Sequence, residues 1–446
     1  MNKHELKQIL TIAIPSIISW VGHMGYGIVD NLMIGRILGS TALATSGIAT
    51  SLYFMFLSFG IGSAGIIVSL MSEAFARQKD QLSKIMQNSL LFSFAIGVMI
   101  FITIFSFSAL LISFLNNQKE LSDNAILFLK TLAPAPIFAM IFITYERLSE
   151  SLHKAKYATY TILFCNLCNI FFNYSFLTGS FGLPNLGLNG AAITTLSVNI
   201  LEAVIIVIIC HKNKLINYAL QFKKNYFTID LIKKLLKLGI PGGFFAVAEM
   251  SLFSIGSFFA SQVSIQDVSA HQIISWVVGT ILIPIFGFGV AVTVRIAYNK
   301  ADEKPLLAFK IGLYSIIGSG IYMFIMLFIF WIFRNEIAIL LLKDNVNDRT
   351  AINFIVATFS IILFGQIADG MQVMGNSVLR GFKDVKSPLI YAVFSYLIIA
   401  IPMSYYLGII KNMGVVGVWI GIGIGVTFQT IFILIRLIKK FKPIII

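Results

Sequence analysis

The sequence has little charge for its length. Asp, Glu, Lys and Arg make up 12% of its 446 residues, whereas about 25% is typical of a soluble globular domain. Hydrophobic residues account for 58% of the chain, the mean hydropathy is +0.89, and apolar runs recur from end to end. This composition excludes a soluble globular protein and indicates a chain that crosses a membrane many times.

Cysteine and histidine are also scarce. One C-x-x-C pair, Cys165 and Cys168, lies inside an apolar run without a second pair, and the five histidines lack the spacing of a zinc site. The sequence contains no nucleophile, metal-ligand or phosphate-loop motif. We therefore expect a protein that is not an enzyme and that needs no cofactor.

Twelve apolar runs are long enough for a transmembrane helix, which needs about 20 mostly apolar residues. The sequence thus predicts an all-α polytopic membrane protein with twelve transmembrane helices. Pro15 and Pro241 lie near the start of the first and seventh spans, where we expect structural hinges. The predicted spans are 12–35, 43–70, 86–115, 124–149, 157–178, 190–211, 237–262, 269–297, 307–333, 351–378, 387–408 and 414–437.

The formal net charge of +14 has two interpretations, nucleic-acid binding or membrane topology. Most of the 33 Lys and Arg lie at the two termini and in the even-numbered loops, while loops 179–189 and 263–268 contain none. By the positive-inside rule, both termini lie in the cytoplasm. Topology therefore explains the charge without nucleic acid, and we expect a multi-pass protein of the cell membrane, either plasma or inner.

Short sequence elements recur after an almost constant interval. IPS at 14–16 returns as IPG at 240–242, an offset of 226, and FGIG at 59–62 returns as FGFG at 286–289, an offset of 227. Six spans return the chain to the same side, so two parallel six-helix halves are predicted, and transporters built from repeats place their site near the midplane. The predicted parts are an N-terminal lobe at 1–211, a basic cytoplasmic linker at 212–236 and a C-terminal lobe at 237–446.

Three carboxylates lie inside predicted spans with no Lys or Arg within one helical turn: Asp30, Glu249 and Asp369. An ionisable residue at this depth is costly and suggests a functional site. These groups could hold a proton or Na⁺, or bind an organic cation together with the ring of Phe253, one turn from Glu249. The alternative is a polar patch that packs helices together.

Other polar residues in the spans also allow two interpretations. Glu146 and Arg147, near the end of the fourth span, are expected to pair at the membrane interface, and Glu202 could snorkel or face a cavity. One face of the fifth span carries amides that could bond neighbouring helices or line a site. These amides are Asn166, Asn169 and Asn173.

Several motifs occur together in the order typical of one transporter family. Pro15 is followed by VDNLMIG at 29–35, NIFFNYSFLTG at 169–179 and NGAAITT at 189–195; Glu249 follows GIP at 239–241; SAHQI stands at 269–273; and the series closes from Asp369 to LRGFKD at 379–384. Over essentially its full length, the chain resembles the multidrug and toxic compound extrusion (MATE) transporters, and it is most similar to their NorM-like branch.

The resemblance implies a MATE fold, in which two pseudo-symmetric six-helix lobes form a V around a central cavity. It also implies export driven by Na⁺ or H⁺. In the NorM-like branch, a Glu and an Asp that match Glu249 and Asp369 form a cation site in the C-terminal lobe, with Na⁺ as the candidate metal ion.

The DinF-like branch instead places its cation site in the N-terminal lobe. Its residues match Asp30, Asn169, Asn173 and Thr195 here, except that an Asp is usual where Asn173 stands. Because this departure removes one negative charge, we expect ion coupling at Glu249 and Asp369, with Asp30 contributing. The N-terminal residues and Phe253 are then expected to line the substrate cavity.

The leading hypothesis is a monomeric secondary active multidrug antiporter in the lipid bilayer. It would export organic, cationic and amphipathic small molecules in exchange for Na⁺ or H⁺ by alternating access. The alternative is a flippase for lipid or lipid-linked saccharide, which would need a cationic cavity for phosphates, whereas the predicted cavity is acidic apart from Arg295. A channel is disfavoured because the sequence has no filter-like repeat or ring of charges.

Overall fold

The computed structural model describes residues 3–77, 79–115, 119–213, 216, 218–221, 223–336, 352, 354–358 and 363–445. Throughout these residues the chain forms long helices and contains no strand, which confirms the all-α class. Two 3₁₀ turns, Tyr218–Leu220 and Lys224–Tyr226, lie in the predicted linker. The helices are α1 Lys3–Leu38, α2 Ser40–Arg77, α3 Lys79–Leu115, α4 Lys119–Leu132, α5 Ala135–Ser151, α6 Lys156–Thr178, α7 Leu188–Lys212, α8 Ile229–Ser261, α9 Ile265–Ala301, α10 Pro305–Ile332, α11 Leu363–Gly381, α12 Lys386–Ile410 and α13 Gly414–Ile445.

Ten helices in the described part of the chain are long and apolar enough to cross a membrane, and α4 with α5 would make an eleventh span. The protein is therefore a multi-pass membrane protein. Part of the predicted span 351–378 lies outside the described residues, so the count of twelve and the cytoplasmic position of both termini stay predictions. Most helices extend beyond their predicted spans, because hydropathy marks only the apolar part of a helix.

The predicted fourth span, 124–149, is wrong as a single helix. The chain leaves the helix after Leu132 and forms α5 from Ala135, with a bend of 42° between the two parts. Pro134 and Pro136 account for the break, because a proline has no N–H to donate and its ring clashes with the carbonyl of the preceding turn. Most of α5 is buried against its neighbours.

The helix α12 is irregular and packs closely on α13. It is α-helical over Lys386–Ala392 and Ile401–Tyr405, with wider π-helical turns at Val393–Ala400 and Tyr406–Ile410. Glycines of α13 face it, since a side chain at Gly421 would overlap the backbone of Ser404 and one at Gly425 would overlap Ala400. Small residues allow such close approach between membrane helices.

The chain divides into two compact units. The N-terminal unit is Lys7–Gly243, and the C-terminal unit is Phe244–Ile446 together with Met1–Leu6. The division falls within α8, two residues after Pro241, whereas the predicted lobes at 1–211 and 237–446 are separated by a linker. Linker residues 214, 215, 217 and 222 lie outside the described part, and the predicted lobe boundaries stay predictions.

In each unit, polar side chains near helix ends hold neighbouring segments of the chain together. In the N-terminal unit, Asn88 on α3 bonds the Tyr226 carbonyl through Nδ2 at 2.7 Å and the Thr228 amide through Oδ1 at 3.2 Å, which holds the chain just before α8. In the C-terminal unit, the Arg295 guanidinium makes two hydrogen bonds of 2.8 Å to the Glu5 carboxylate. Both side chains of this ion pair are buried.

Candidate functional site

The predicted N-terminal residues converge on one carboxylate. Asp30 on α1 accepts hydrogen bonds through Oδ1 from the Asn169 and Asn173 amides of α6, at 3.1 and 2.6 Å. Its Oδ2 lies 3.3 Å from the Thr195 hydroxyl on α7. Four side chains that are far apart in sequence thus form one cluster, which we call the Asp30 cluster.

The helical spacing of the asparagines explains this arrangement. Positions three and four residues apart lie on the same face of a helix, so Asn166, Asn169 and Asn173 all point from α6 towards α1. Asn166 bonds the Gly22 carbonyl at 3.1 Å and thereby packs the two helices. The packing interpretation therefore holds for Asn166, whereas the other two amides bind the carboxylate.

Two members of the Asp30 cluster have side-chain oxygen atoms without a hydrogen-bond donor in the described part of the chain. The side-chain oxygens of Asn169 and Asn173 are buried and have no hydrogen-bond donor among the described residues. Buried polar atoms normally have a partner, so each unpaired one calls for an explanation. Carboxylate and amide oxygens are both ligand types that suit a hard cation. Cation binding at the Asp30 cluster stays a prediction.

The C-terminal unit contains a second acidic cluster. Glu249 on α8 accepts a hydrogen bond of 3.2 Å from the Gln372 amide on α11, and the Gln372 oxygen accepts one of 3.3 Å from the Tyr396 hydroxyl on α12. Asp369, one turn before Gln372 on the same helix, is only 4% exposed, and the charge of Glu249 acts on it. We call these four residues the Glu249 cluster.

Asp369 is the least satisfied member of the Glu249 cluster. Across the described residues it has no hydrogen-bond or ion-pair partner, and the charge of Arg380 acts on Glu249 instead. Two carboxylates that share a site of low dielectric resist being ionised together unless a cation lies between them. The hydrogen bond from Gln372 places Glu249 beside the turn of α11 that carries Asp369, and a cation site at the two carboxylates stays a prediction.

The ring of Phe253 packs beside the ring of Trp419, which in turn packs beside that of His271. Its ring centroid is 6.1 Å from that of Trp419 on α13, and Trp419 is 5.5 Å from His271 on α9. The Phe253 carbonyl is also 3.2 Å from the His271 ring nitrogen Nε2. Phe253 is partly exposed, and its role in a substrate cavity stays a prediction.

Sequence reasoning missed the glutamine and tyrosine side chains of the Glu249 cluster. Gln372 could have been found, because it lies three residues after Asp369 and so shares its helix face. Tyr396 gives no such signal, since it comes from another helix and its position depends on the wide turns of α12. Four further buried side chains of this unit have unpaired oxygens within the described part: Gln366, Asn376, Ser395 and Gln429.

The other charged residues of the spans are buried in the N-terminal unit. Arg147 contacts Glu146 at 3.5 Å, as expected for a pair, but its shorter bond of 2.7 Å is to Glu150. Glu202 does not snorkel, because only 4% of it is exposed and it accepts a hydrogen bond from Tyr26.

The two predicted hinge prolines lie inside continuous helices. Pro15 is part of α1 and Pro241 is part of α8. The Thr159 hydroxyl of α6 bonds the Pro15 carbonyl at 2.9 Å, which ties this point of α1 to its neighbour. A hinge function for either proline stays a prediction.

Comparison with known proteins identifies the family. The MatE family model matches residues 15–175 and again 241–406, more than half of the chain. The chain belongs to the MatE family. The two matched stretches begin at Pro15 and Pro241, at the offset of the sequence repeat, and the predicted resemblance to MATE transporters is confirmed.

Individual MATE relatives agree with this assignment. The chain is 28% identical over 427 residues to the probable multidrug resistance protein NorM of Rhodopseudomonas palustris, covering 94% of this chain and 89% of that protein. Its fold is similar to an outward-facing multidrug resistance MATE family transporter, with a TM-score of 0.88, 18% identity and coverage of 98% and 96% of the two chains. A MOP superfamily transporter from Pyrococcus furiosus gives a TM-score of 0.85 at 18% identity, with coverage of 98% and 96%.

Membership of the MATE family sets the class of function. The family consists of transporters that use ion gradients, rather than enzymes. Together with its apolar helices, this makes the chain a multi-pass transporter of the plasma membrane.

Proposed function

We propose that the protein is a secondary active multidrug efflux antiporter. It exports organic, cationic and amphipathic compounds in exchange for Na⁺ or H⁺ by alternating access, and a single chain is the transporting unit. The similarity to the relative named NorM supports multidrug efflux. The acidic clusters support the exchange of positively charged species.

One observation carries the proposal: Glu249 on α8 accepts a hydrogen bond from Gln372 on α11, which lies one turn from Asp369. Asp369 is buried and the charge of Glu249 acts directly on it. Because low dielectric strengthens the repulsion of two like charges, uptake of a coupling ion relieves this repulsion. A proton would neutralise one carboxylate, and a Na⁺ ion would be bound between them with the help of the amide and hydroxyl of Gln372 and Tyr396.

The Asp30 cluster serves as a further point for positive charge in the N-terminal unit. Its carboxylate is held by Asn169, Asn173 and Thr195, so it is fixed in place before any ligand arrives. We assign Asp30 to both ion coupling and substrate contact. An organic cation would gain from its charge, while Phe253 offers an aromatic face to a substrate within the C-terminal unit.

Coupling follows from differential affinity. A ligand shifts a conformational equilibrium only by as much as its affinity differs between the two states. If the coupling ion stabilises one orientation of the transporter and the organic cation the other, inward movement of the ion drives outward movement of the substrate. The carboxylates are suited to this exchange because either positive species can satisfy them.

The flippase alternative is less well supported, because it needs a cation to bind lipid phosphate. The sequence offers Arg295 for this, but Arg295 is already paired with a carboxylate. Arg295 is 4% exposed and forms a bidentate ion pair with Glu5. A guanidinium held in this way is not available for a lipid phosphate unless the pair first breaks.

Removing each charge of the Glu249 cluster tests the proposal. Glu249→Gln and Asp369→Asn keep the shape of the side chains but remove the negative charge that binds the coupling ion. We expect each variant to lose most gradient-driven efflux of a lipophilic cationic dye from proteoliposomes. Asp230→Asn, at an exposed position on α8, is the matched control and should transport normally. Retained efflux in both cluster variants would rule out the mechanism.

A further inference from the structure

Glu202 is a buried carboxylate that neither acidic cluster uses. It lies on α7 in the N-terminal unit, is 4% exposed, and has its Oε1 atom 2.5 Å from the Tyr26 hydroxyl oxygen of α1. No Lys, Arg or His pairs with it within the described residues. The charged neighbour that acts on it, Glu146 on α5, has the same sign. An isolated negative charge is therefore poorly compensated at this position.

The hydrogen bonds of Tyr26 indicate how the carboxyl group is satisfied. The Tyr26 oxygen lies within hydrogen-bonding distance of two acceptors, Glu202 Oε1 at 2.5 Å and the Ile162 carbonyl at 3.1 Å. A tyrosine hydroxyl has only one proton to donate. Both contacts are hydrogen bonds at the same time only if Glu202 is protonated, so that Glu202 donates to Tyr26 and Tyr26 donates to Ile162.

A second buried hydroxyl lies within the electrostatic reach of Glu202. Tyr53 on α2 is 2% exposed, and its hydroxyl has no hydrogen-bond partner in the part of the chain that the structure describes. The charge of Glu202 acts on this hydroxyl. When Glu202 loses its proton, Tyr26 can turn its hydroxyl proton to the carboxylate, which lies 2.5 Å away. The site thus has a bonding pattern for each protonation state.

None of the other titratable groups that the structure describes near Glu202 supplies a positive charge that would pair with its carboxylate. The charge of Glu202 acts on the thiol of Cys165 on α6. On the far side of Glu146, His23 lies 4.0 Å from one carboxylate oxygen and Arg147 lies 3.5 Å from the other. Arg147 also bonds Glu150 at 2.7 Å, so the nearby positive charge pairs with Glu146 and Glu150 rather than with Glu202.

We propose that Glu202, Tyr26 and Tyr53 form a proton-binding site in the N-terminal unit, separate from the Asp30 and Glu249 clusters. Glu202 takes a proton from solvent and returns it to solvent during the transport cycle; this second step rests on the proposed antiport function. Tyr26 lies one turn from Asp30 on α1, so a change of charge at Glu202 is passed on to the Asp30 cluster through a shared helix.

Infrared difference spectroscopy of the purified full-length protein tests the site directly. A protonated carboxylic acid has a carbonyl band that an ionised carboxylate lacks. We expect the wild type to show this band at neutral pH, Glu202→Gln to lose its share of it, and Glu303→Gln, at an exposed loop position, to leave it unchanged. An identical band in wild type and Glu202→Gln would overturn the proposal.

Two further variants keep Glu202 in place, in case Glu202→Gln fails to fold. Tyr26→Phe should shift the frequency of the band, because it removes the hydroxyl that bonds the acid. Glu146→Gln should change the pH dependence of the band, because it removes the charged neighbour that acts on Glu202. An unchanged band in both variants would equally overturn the site.

Dye efflux from proteoliposomes then separates the site from the transport function. If Glu202 exchanges its proton during the cycle, Glu202→Gln should flatten the pH dependence of efflux several-fold while the control variant keeps it. An unaltered pH profile despite loss of the band would contradict a role in transport. Absence of gradient-driven efflux from the wild type, with the band still lost in Glu202→Gln, would reject the antiport function and leave the proton site standing.

Discussion

Three asparagines on one face of α6 make different kinds of bond. Asn166 bonds a backbone carbonyl of α1, whereas Asn169 and Asn173 bond the side chain of Asp30. The sequence shows only that all three share a face. Which partner each asparagine finds depends on the part of α1 that it faces: Asn166 faces Gly22, and the other two face Asp30. Asn166 therefore packs two helices together, whereas Asn169 and Asn173 bind a carboxylate.

This difference predicts contrasting effects of two alanine substitutions. Asn166→Ala should lower the free energy of unfolding by about 0.6 kcal/mol, the average value for a hydrogen bond between membrane helices, and leave transport by the folded protein unchanged. Asn173→Ala removes a bond to a charged group, which is worth about 1.5–3 kcal/mol, and should also weaken efflux at limiting ion or substrate concentration.

The measurements are the unfolding midpoint in detergent and the rate of dye efflux per reconstituted molecule. An equal loss of transport in both variants, in proportion to stability, would mean that Asn173 only packs helices. A loss of transport in Asn173→Ala alone would support its place in the Asp30 cluster.

The sequence could identify most of the acidic residues but not their surroundings. Asp30, Glu249 and Asp369 stand out because an ionisable residue in an apolar run is costly, and the family motifs indicate Asn169, Asn173 and Thr195. The bond between Gln372 and Tyr396 could not be predicted, since it joins α11 to α12 and depends on how those helices pack. The same is true of Tyr26 and Glu202, which lie on α1 and α7.

At the scale of elements, hydropathy located the apolar helices but not their irregularities. Pro134 gave a usable signal for the break between α4 and α5, because proline disrupts the preceding turn, but the predicted span ran through it. The π-helical turns of α12 leave no comparable mark in the sequence. They occur where α12 meets the glycines of α13, so the cause is tertiary packing rather than local preference.

Two glycine substitutions test the packing of α12 on α13. Gly421→Ala should destabilise the protein by about 1–3 kcal/mol, the usual cost of overpacking, because the new Cβ would overlap the Ser404 backbone, which cannot move aside. Gly318→Ala on α10 is the control, since its Cβ would meet nothing within 4 Å. It should be neutral or stabilising by up to about 1 kcal/mol, because alanine favours helix.

Thermal unfolding of both variants in detergent distinguishes the two positions. Equal stability of Gly421→Ala and Gly318→Ala would show that α12 and α13 do not approach each other as closely as described. A lower midpoint confined to Gly421→Ala would support the close contact.

At the scale of the whole molecule, one family model matches the chain twice, yet the two compact units hold different chemistry. The N-terminal unit presents one carboxylate among amides and a hydroxyl, and the C-terminal unit presents two carboxylates that repel each other. A repeated scaffold explains the shared fold, while substitutions inside each repeat explain the different sites. We propose that uptake of a cation at these sites drives export of an organic cation.

The most direct test is dye efflux from proteoliposomes that contain the wild-type protein, under a Na⁺ gradient alone, a pH gradient alone, or neither. We predict that at least one gradient drives the dye against its own concentration difference, and that transport stops when both gradients are collapsed. Dye movement that never exceeds equilibration, and that is the same with and without either gradient, would contradict ion-coupled antiport.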